Sequence, residues 1–155
     1  MNIAIRSFYE VTTKIKETLL SDINVKTVTI GDITEIDLSK QTIFPLSHII
    51  INNVSSDENT LTYNISILSM DIVDISKSET TDLFVGNDNE QDVFNTQLKV
   101  ANTLIQKMRI GSIYREKYQI IGAVEHEPFV DRFENQLAGW TATMDIVIYN
   151  DIRIC

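Results

Sequence analysis

Few side chains in this sequence could carry covalent or metal chemistry. They are two histidines, His48 and His126, a lone cysteine at Cys155, and the carboxylates crowded between Asp71 and Asp92. His126-Glu127-Pro128-Phe129-Val130 opens like the zinc-protease motif, in which two histidines four apart on a helix grip the metal beside a glutamate base. Here the fifth position is Val130 and Pro128 opposes a helix, so the motif fails. Gly86 to Asp92 places acids at alternate positions, as a calcium loop does. Such a loop next needs a glycine and later a bidentate glutamate, whereas Val93 and Phe94 follow. Helix capping accounts for Asp88, Asn89, Glu90 and Asp92 better. Asp71, Asp74 and Asp82 could supply a carboxylate pair for acid–base work, but acidic loops are ordinary in an acidic protein. His48, close to Pro45 and Leu46, reads as a hydrogen-bonded strand residue rather than a ligand. There is no glycine-rich phosphate loop, nucleophile elbow or cysteine cluster. The residues therefore call for no enzyme, no metal and no cofactor.

The elements that would position these groups follow from periodicity. Residues 3–20 read as a first helix, with Ile5, Phe8, Val11, Ile15 and Leu19 on one stripe. Ser7 to Glu10 fits a capping box that would start it at Ser7. Val25 to Ile30 is a short strand, Gly31-Asp32 a turn, and Ile33 to Leu38 an edge strand or extended connection. Pro45 marks a strand entrance or edge. Two strands, His48 to Val54 and Thr60 to Val73, flank the polar turn Ser55–Asn59 and make a hairpin. The apolar set of the second changes phase at Ile67-Leu68, which predicts either a bulge there or burial on both faces.

Residues 74–89 form the long irregular stretch. From Asp71 to Asp92 the chain has seven acidic residues and one basic residue, Lys77. A loop of that length is either a solvated connection or a docking element. Glu90 to Arg109 is the second helix, with Phe94, Leu98, Ala101, Ile105 and Met108 on one face, widened by Val93, Val100 and Leu104. Tyr118 to Val124 is a strand broken by Glu125 to Pro128. The final segment alternates cleanly: Trp140, Ala142, Met144, Ile146 and Ile148 share one face of a central strand, and Gly139 just before it takes a turn position.

Size and composition frame these elements. At 155 residues, 43% apolar and 23% charged, the chain is one soluble domain over 1–155. It shows no secretion signal or membrane span, and Cys155 can form no internal disulfide, which points to synthesis in a reducing cytoplasm. The net charge of −9 argues against general nucleic-acid binding, which needs a basic face. It is compatible with a wall past which DNA slides without sticking.

Three segments together resemble one family. They are Gly31 to Ile49, the strand, acidic loop and helix from Leu61 to Met108, and Glu127-Pro128-Phe129-Val130-Asp131-Arg132-Phe133-Glu134-Asn135-Gln136-Leu137-Ala138-Gly139-Trp140 leading into the last strand. They resemble the tail-terminator or tail-completion proteins of tailed bacteriophages, and are similar to the neck-ring proteins of related phages. The resemblance spans nearly the whole chain and its motifs are structural. It implies an α+β fold: a mostly antiparallel sheet, here of four to five strands, with two helices packed on one face. It implies a virion structural protein, made in the host cytoplasm, that assembles as a self-associating, commonly hexameric ring. Its partners would be the tail-tube protein on one side and a head-completion or connector protein on the other, with DNA passing through unbound and no membrane involved. No catalytic residue carries over. Loops and strand edges make such contacts, so Asp71, Asp74, Glu79 and Asp82 in the acidic stretch and Asp131, Arg132 and Glu134 in the connection are the candidate interface. The readings left open are another neck or head-tail connector ring, and a small cytoplasmic binding module with no virion role.

Overall fold

The computed structural model describes residues 3–36, 41–74, 79, 81–84, 86, 88–109, 118–130 and 136–149. The elements run α1 (Ile3–Leu20), β1 (Thr27–Ile30), β2 (Leu46–Ser56), β3 (Thr60–Ile72), α2 (Glu90–Arg109), β4 (Gln119–Val130) and β5 (Leu137–Tyr149). The strands form one five-stranded sheet in the order β1-β2-β3-β5-β4. Every pairing is antiparallel except β1 with β2. The architecture is α+β, as the sequence predicts.

One face of the sheet carries both helices. Val11, Ile15 and Leu19 of α1 and Val100, Ala101, Leu104, Ile105 and Met108 of α2 share a core with Ile49, Tyr63, Ile65, Ile67, Ala142, Met144, Ile146 and Ile148. Register explains the match, because Tyr63, Ile65 and Ile67 lie opposite Ile146, Met144 and Ala142. The predicted alternation of the last strand therefore holds, and its even-numbered side chains meet the helices. The middle strand of the sheet is β3; β5 lies between it and the edge strand β4.

The other face is covered in part. A parallel pair needs a long crossover, and residues 31–45 supply it. The crossover forms short 3-10 turns at Ile33–Glu35 and Gln41–Ile43, so the edge strand or extended connection expected over Ile33 to Leu38 is replaced by a turn where it is described. Asp32 caps the first turn by accepting from Thr34 N at 2.9 Å. Ile33, Ile36, Ile43 and Phe44 from this crossover pack on Leu46, Leu68, Met70, Phe129 and Leu137. Beyond that apolar end the same face is polar. Asn52 Nδ2 donates to Asn64 Oδ1 and Ser66 Oγ, each at 2.8 Å, and Asn64 Nδ2 donates to Asp145 Oδ1 at 2.8 Å. Ser66 and Thr143 hydroxyls meet at 3.1 Å.

Several local expectations change. The helix α1 spans Ile3–Leu20, as the 3–20 reading has it, so only the alternative start at the Ser7 capping box fails. β3 pairs with β5 without interruption from Thr60 to Ile72, so no bulge sits at Ile67-Leu68. Its phase change reflects burial on both faces; the register shift lies in β2, between Ile51 and Asn53. β4 runs straight through Glu125 to Pro128. Pro128 is tolerated because β4 is an edge strand and that side of the ladder needs no N–H. Gly139 lies inside β5 rather than in a turn. A Cβ there would collide with the Ser69 carbonyl oxygen and stand 2.9 Å from Met70 Cα, so close strand approach requires the glycine. Gly111, which would stop the second helix, lies outside the described residues.

Candidate functional site

The two histidines separate onto opposite faces. His48, on β2, is fully buried on the face away from the helices. Its Nδ1 meets Thr29 Oγ1 at 2.7 Å and its Nε2 meets the Gly31 carbonyl at 2.8 Å. Since the carbonyl can only accept, Nε2 carries the proton and Nδ1 accepts from the Thr29 hydroxyl. Burial lowers its pKa, partly offset by the Gly31 carbonyl and by Asp32. The ring thus ties β1 and the turn after it to β2, which is the structural role read from sequence. His126 lies opposite Ala142, on the helix-bearing face, half-buried with its pKa lowered by burial. Among the described residues no group of three His, Cys, Asp or Glu could hold a metal ion.

The predicted carboxylates divide in the same way. Asp71 is near the end of β3, opposite Ala138, and half-buried. Burial raises its pKa against the lowering effect of the Ile72 N–H it accepts from at 2.8 Å, and the Asp74 charge raises it further. Asp74, Glu79 and Asp82 are exposed. Asp131, Arg132 and Glu134 lie outside the described residues.

Asp82 is structural within the acidic stretch. Its Oδ1 accepts from Phe84 N at 2.9 Å, and its carbonyl accepts from Gly86 N at 2.8 Å. Gly86 has φ +72°, the left-handed conformation that closes such a turn at least cost. Gln91, in the first turn of α2, donates from Nε2 to the Phe84 carbonyl at 2.6 Å. Asn89 Oδ1 accepts from Asp74 N at 2.7 Å, tying the exit of β3 to the start of α2. The loop therefore has a pinned tip, and that tip presents Leu83, 93% exposed, and Phe84, 83% exposed. The sequence reading singled out the acids and missed this apolar pair. An adjacent Leu-Phe with no periodic partner, inside a polar stretch, was the available signal.

A second feature escaped the periodicity. Gln97 lies on the buried stripe of α2, between Val93 and Val100. Neither polar atom of its side chain has a hydrogen-bond partner, and the hydroxyls of Ser47 and Ser69, opposite one another on β2 and β3, are likewise unpaired. Nearby, Trp140 Nε1 donates to the Phe94 carbonyl at 2.8 Å, and the two rings meet edge-on at 5.7 Å.

No protein-family model matches the chain, and no curated protein matches it. No described helix is long and apolar enough to cross a membrane.

Two surface features stand out among the described residues. A hydrogen-bonded turn displays two large apolar side chains within the acidic stretch, and an open pocket of about 150 Å³ lies between α1 and the edge strand β1. Thr12 and Lys16 of α1, Val28 and Ile30 of β1 and Ile49 of β2 line that pocket.

Proposed function

We propose that this chain is a virion structural protein of a tailed bacteriophage, a tail-terminator or tail-completion ring. It caps the tail tube and joins it to the head connector, with DNA passing through the ring. The observation that carries the reading is the family resemblance across Gly31–Ile49, Leu61–Met108 and Glu127–Trp140. It is supported by an α+β subunit whose two helices share one face of a mostly antiparallel sheet, the form that resemblance implies. A net charge of −9 supports it further, since an acidic wall repels phosphate and lets DNA slide. In this reading the chain performs no catalysis, holds no cofactor, and works by contacts to its own copies, the tail-tube protein and a head-completion or connector protein.

The test is electron microscopy of particles assembled without this protein. Overlong tails, or heads and tails that fail to join, are the expected result. Intact, infectious particles would sink the reading.

A further inference from the structure

We infer that the Leu83-Phe84 turn of one copy of this chain seats in the pocket between α1 and β1 of a second copy. The inference rests on the ring assembly proposed above and assigns its subunit contact. Three observations carry it.

The first is the display of the turn. Side chains 93% and 83% exposed are unusual for Leu and Phe. These two project from a backbone held by Asp82, Gly86 and Gln91. A pinned aromatic loses little entropy on binding and has the character of an interface anchor.

The second is fit. The pocket measures about 150 Å³, the order of volume that accepts a benzene-sized ring. It is open because β1 has only four residues and leaves Ile30 47% exposed beside α1. Val28, Ile30 and Ile49 supply the apolar walls a phenyl ring needs.

The third is charge. Glu79 and Asp82 flank the turn, and Lys16 lines the pocket. Docking brings opposite charges together at the rim of an apolar contact.

Knob and pocket are different patches of one surface, and the knob is exposed in its own chain, so a second copy must supply the contact. A contact of this kind is head-to-tail, and repeating it generates a ring when the rotation closes.

The experiment uses the full chain with Cys155→Ser. Thr81→Cys and Thr13→Cys are placed together in one protein, Thr81 being exposed beside the turn and Thr13 on the pocket wall, and a short bismaleimide is added. A covalent ladder extending beyond the dimer is expected, whereas each single-cysteine protein stays monomeric, because a head-to-tail contact brings no two of its thiols together. In sedimentation without cross-linker, Phe84→Asp and, from the pocket side, Ile30→Glu should each weaken self-association at least tenfold while thermal melting stays unchanged. Lys16→Glu should weaken it less, and added salt should reduce the wild-type association. A wild-type chain monomeric at every concentration, or an association indifferent to both Phe84→Asp and Ile30→Glu, overturns the inference. Such a result leaves the tail reading standing, because a ring could then form by other contacts on the tube. Conversely, a cross-linked ladder from a protein whose loss leaves particles intact sinks the tail reading alone.

Discussion

The two faces of the sheet solve the burial problem in different ways. The face under α1 and α2 is closed by buried apolar side chains from both helices and from β2, β3 and β5. The opposite face is apolar only under the crossover of residues 31–45, and then becomes a hydrogen-bonded polar ladder of Asn52, Asn64, Ser66, Thr143 and Asp145. The first face is held by area removed from water. The second is held, over half its length, by directional bonds whose net contribution is small because water competes for the same groups. Stability is therefore concentrated between helices and sheet, and the open face tolerates change.

Truncating the helical face gives the largest effect. Ile65→Ala, at a fully buried β3 position, should cost about 2–5 kcal/mol in denaturant unfolding; a loss of only a few tenths would break the contrast between the faces. Gln97→Met should act in the opposite direction. It replaces two unpartnered buried polar atoms with apolar ones of similar length, and relief of about 1–3 kcal/mol is expected, read as a rise in melting temperature. A fall would mean that Gln97 is paired in solution. On the open face, Asn64→Ala removes the bonds to Asn52 and Asp145 and should cost about 1 kcal/mol, well below Ile65→Ala in the same denaturant series.

The smallest effect is in pH. His48 has a folded pKa below its unfolded value. Its contribution is fully present above about pH 6.5 and is lost as pH falls through the lower folded value. His126 acts in the same direction. Asp71 has a raised folded pKa, so its contribution is present below about pH 3.9 and lost as pH rises through the folded value. Melting should therefore weaken modestly from pH 7 towards 5, the His48 ring should titrate below an ordinary histidine by NMR, and Asp71→Asn should stabilise at neutral pH. An unshifted His48 titration would contradict the buried Thr29–His48–Gly31 arrangement.

Much of the fold was legible because local periodicity carries it. The alternation from Trp140 to Ile148, the stripe of α2 and the turn at Ser55–Asn59 each depend on residues close in sequence. The reading failed where neighbours far along the chain decide the outcome. Pro128 looked like a strand breaker because nothing local says that β4 is at the edge. Gly139 looked like a turn residue because the Ser69 carbonyl it must clear is distant in sequence. The phase change at Ile67-Leu68 looked like a bulge because the crossover that buries the second face comes from residues 31–45. In the candidate site, Asp74, Glu79 and Asp82 were located by charge, but Asp82 serves to shape the turn that exposes Leu83 and Phe84.

By itself, then, the sequence determined the second helix, the hairpin and the acidic stretch before α2, because side-chain period and charge are local properties; the class of the fold was what the family resemblance implied. Tertiary structure alone decided that β3 is buried on both faces, that β4 lies at the edge, and that Gly139 must clear the Ser69 carbonyl. Those depend on strand order and register, which are set by contacts between residues tens of positions apart.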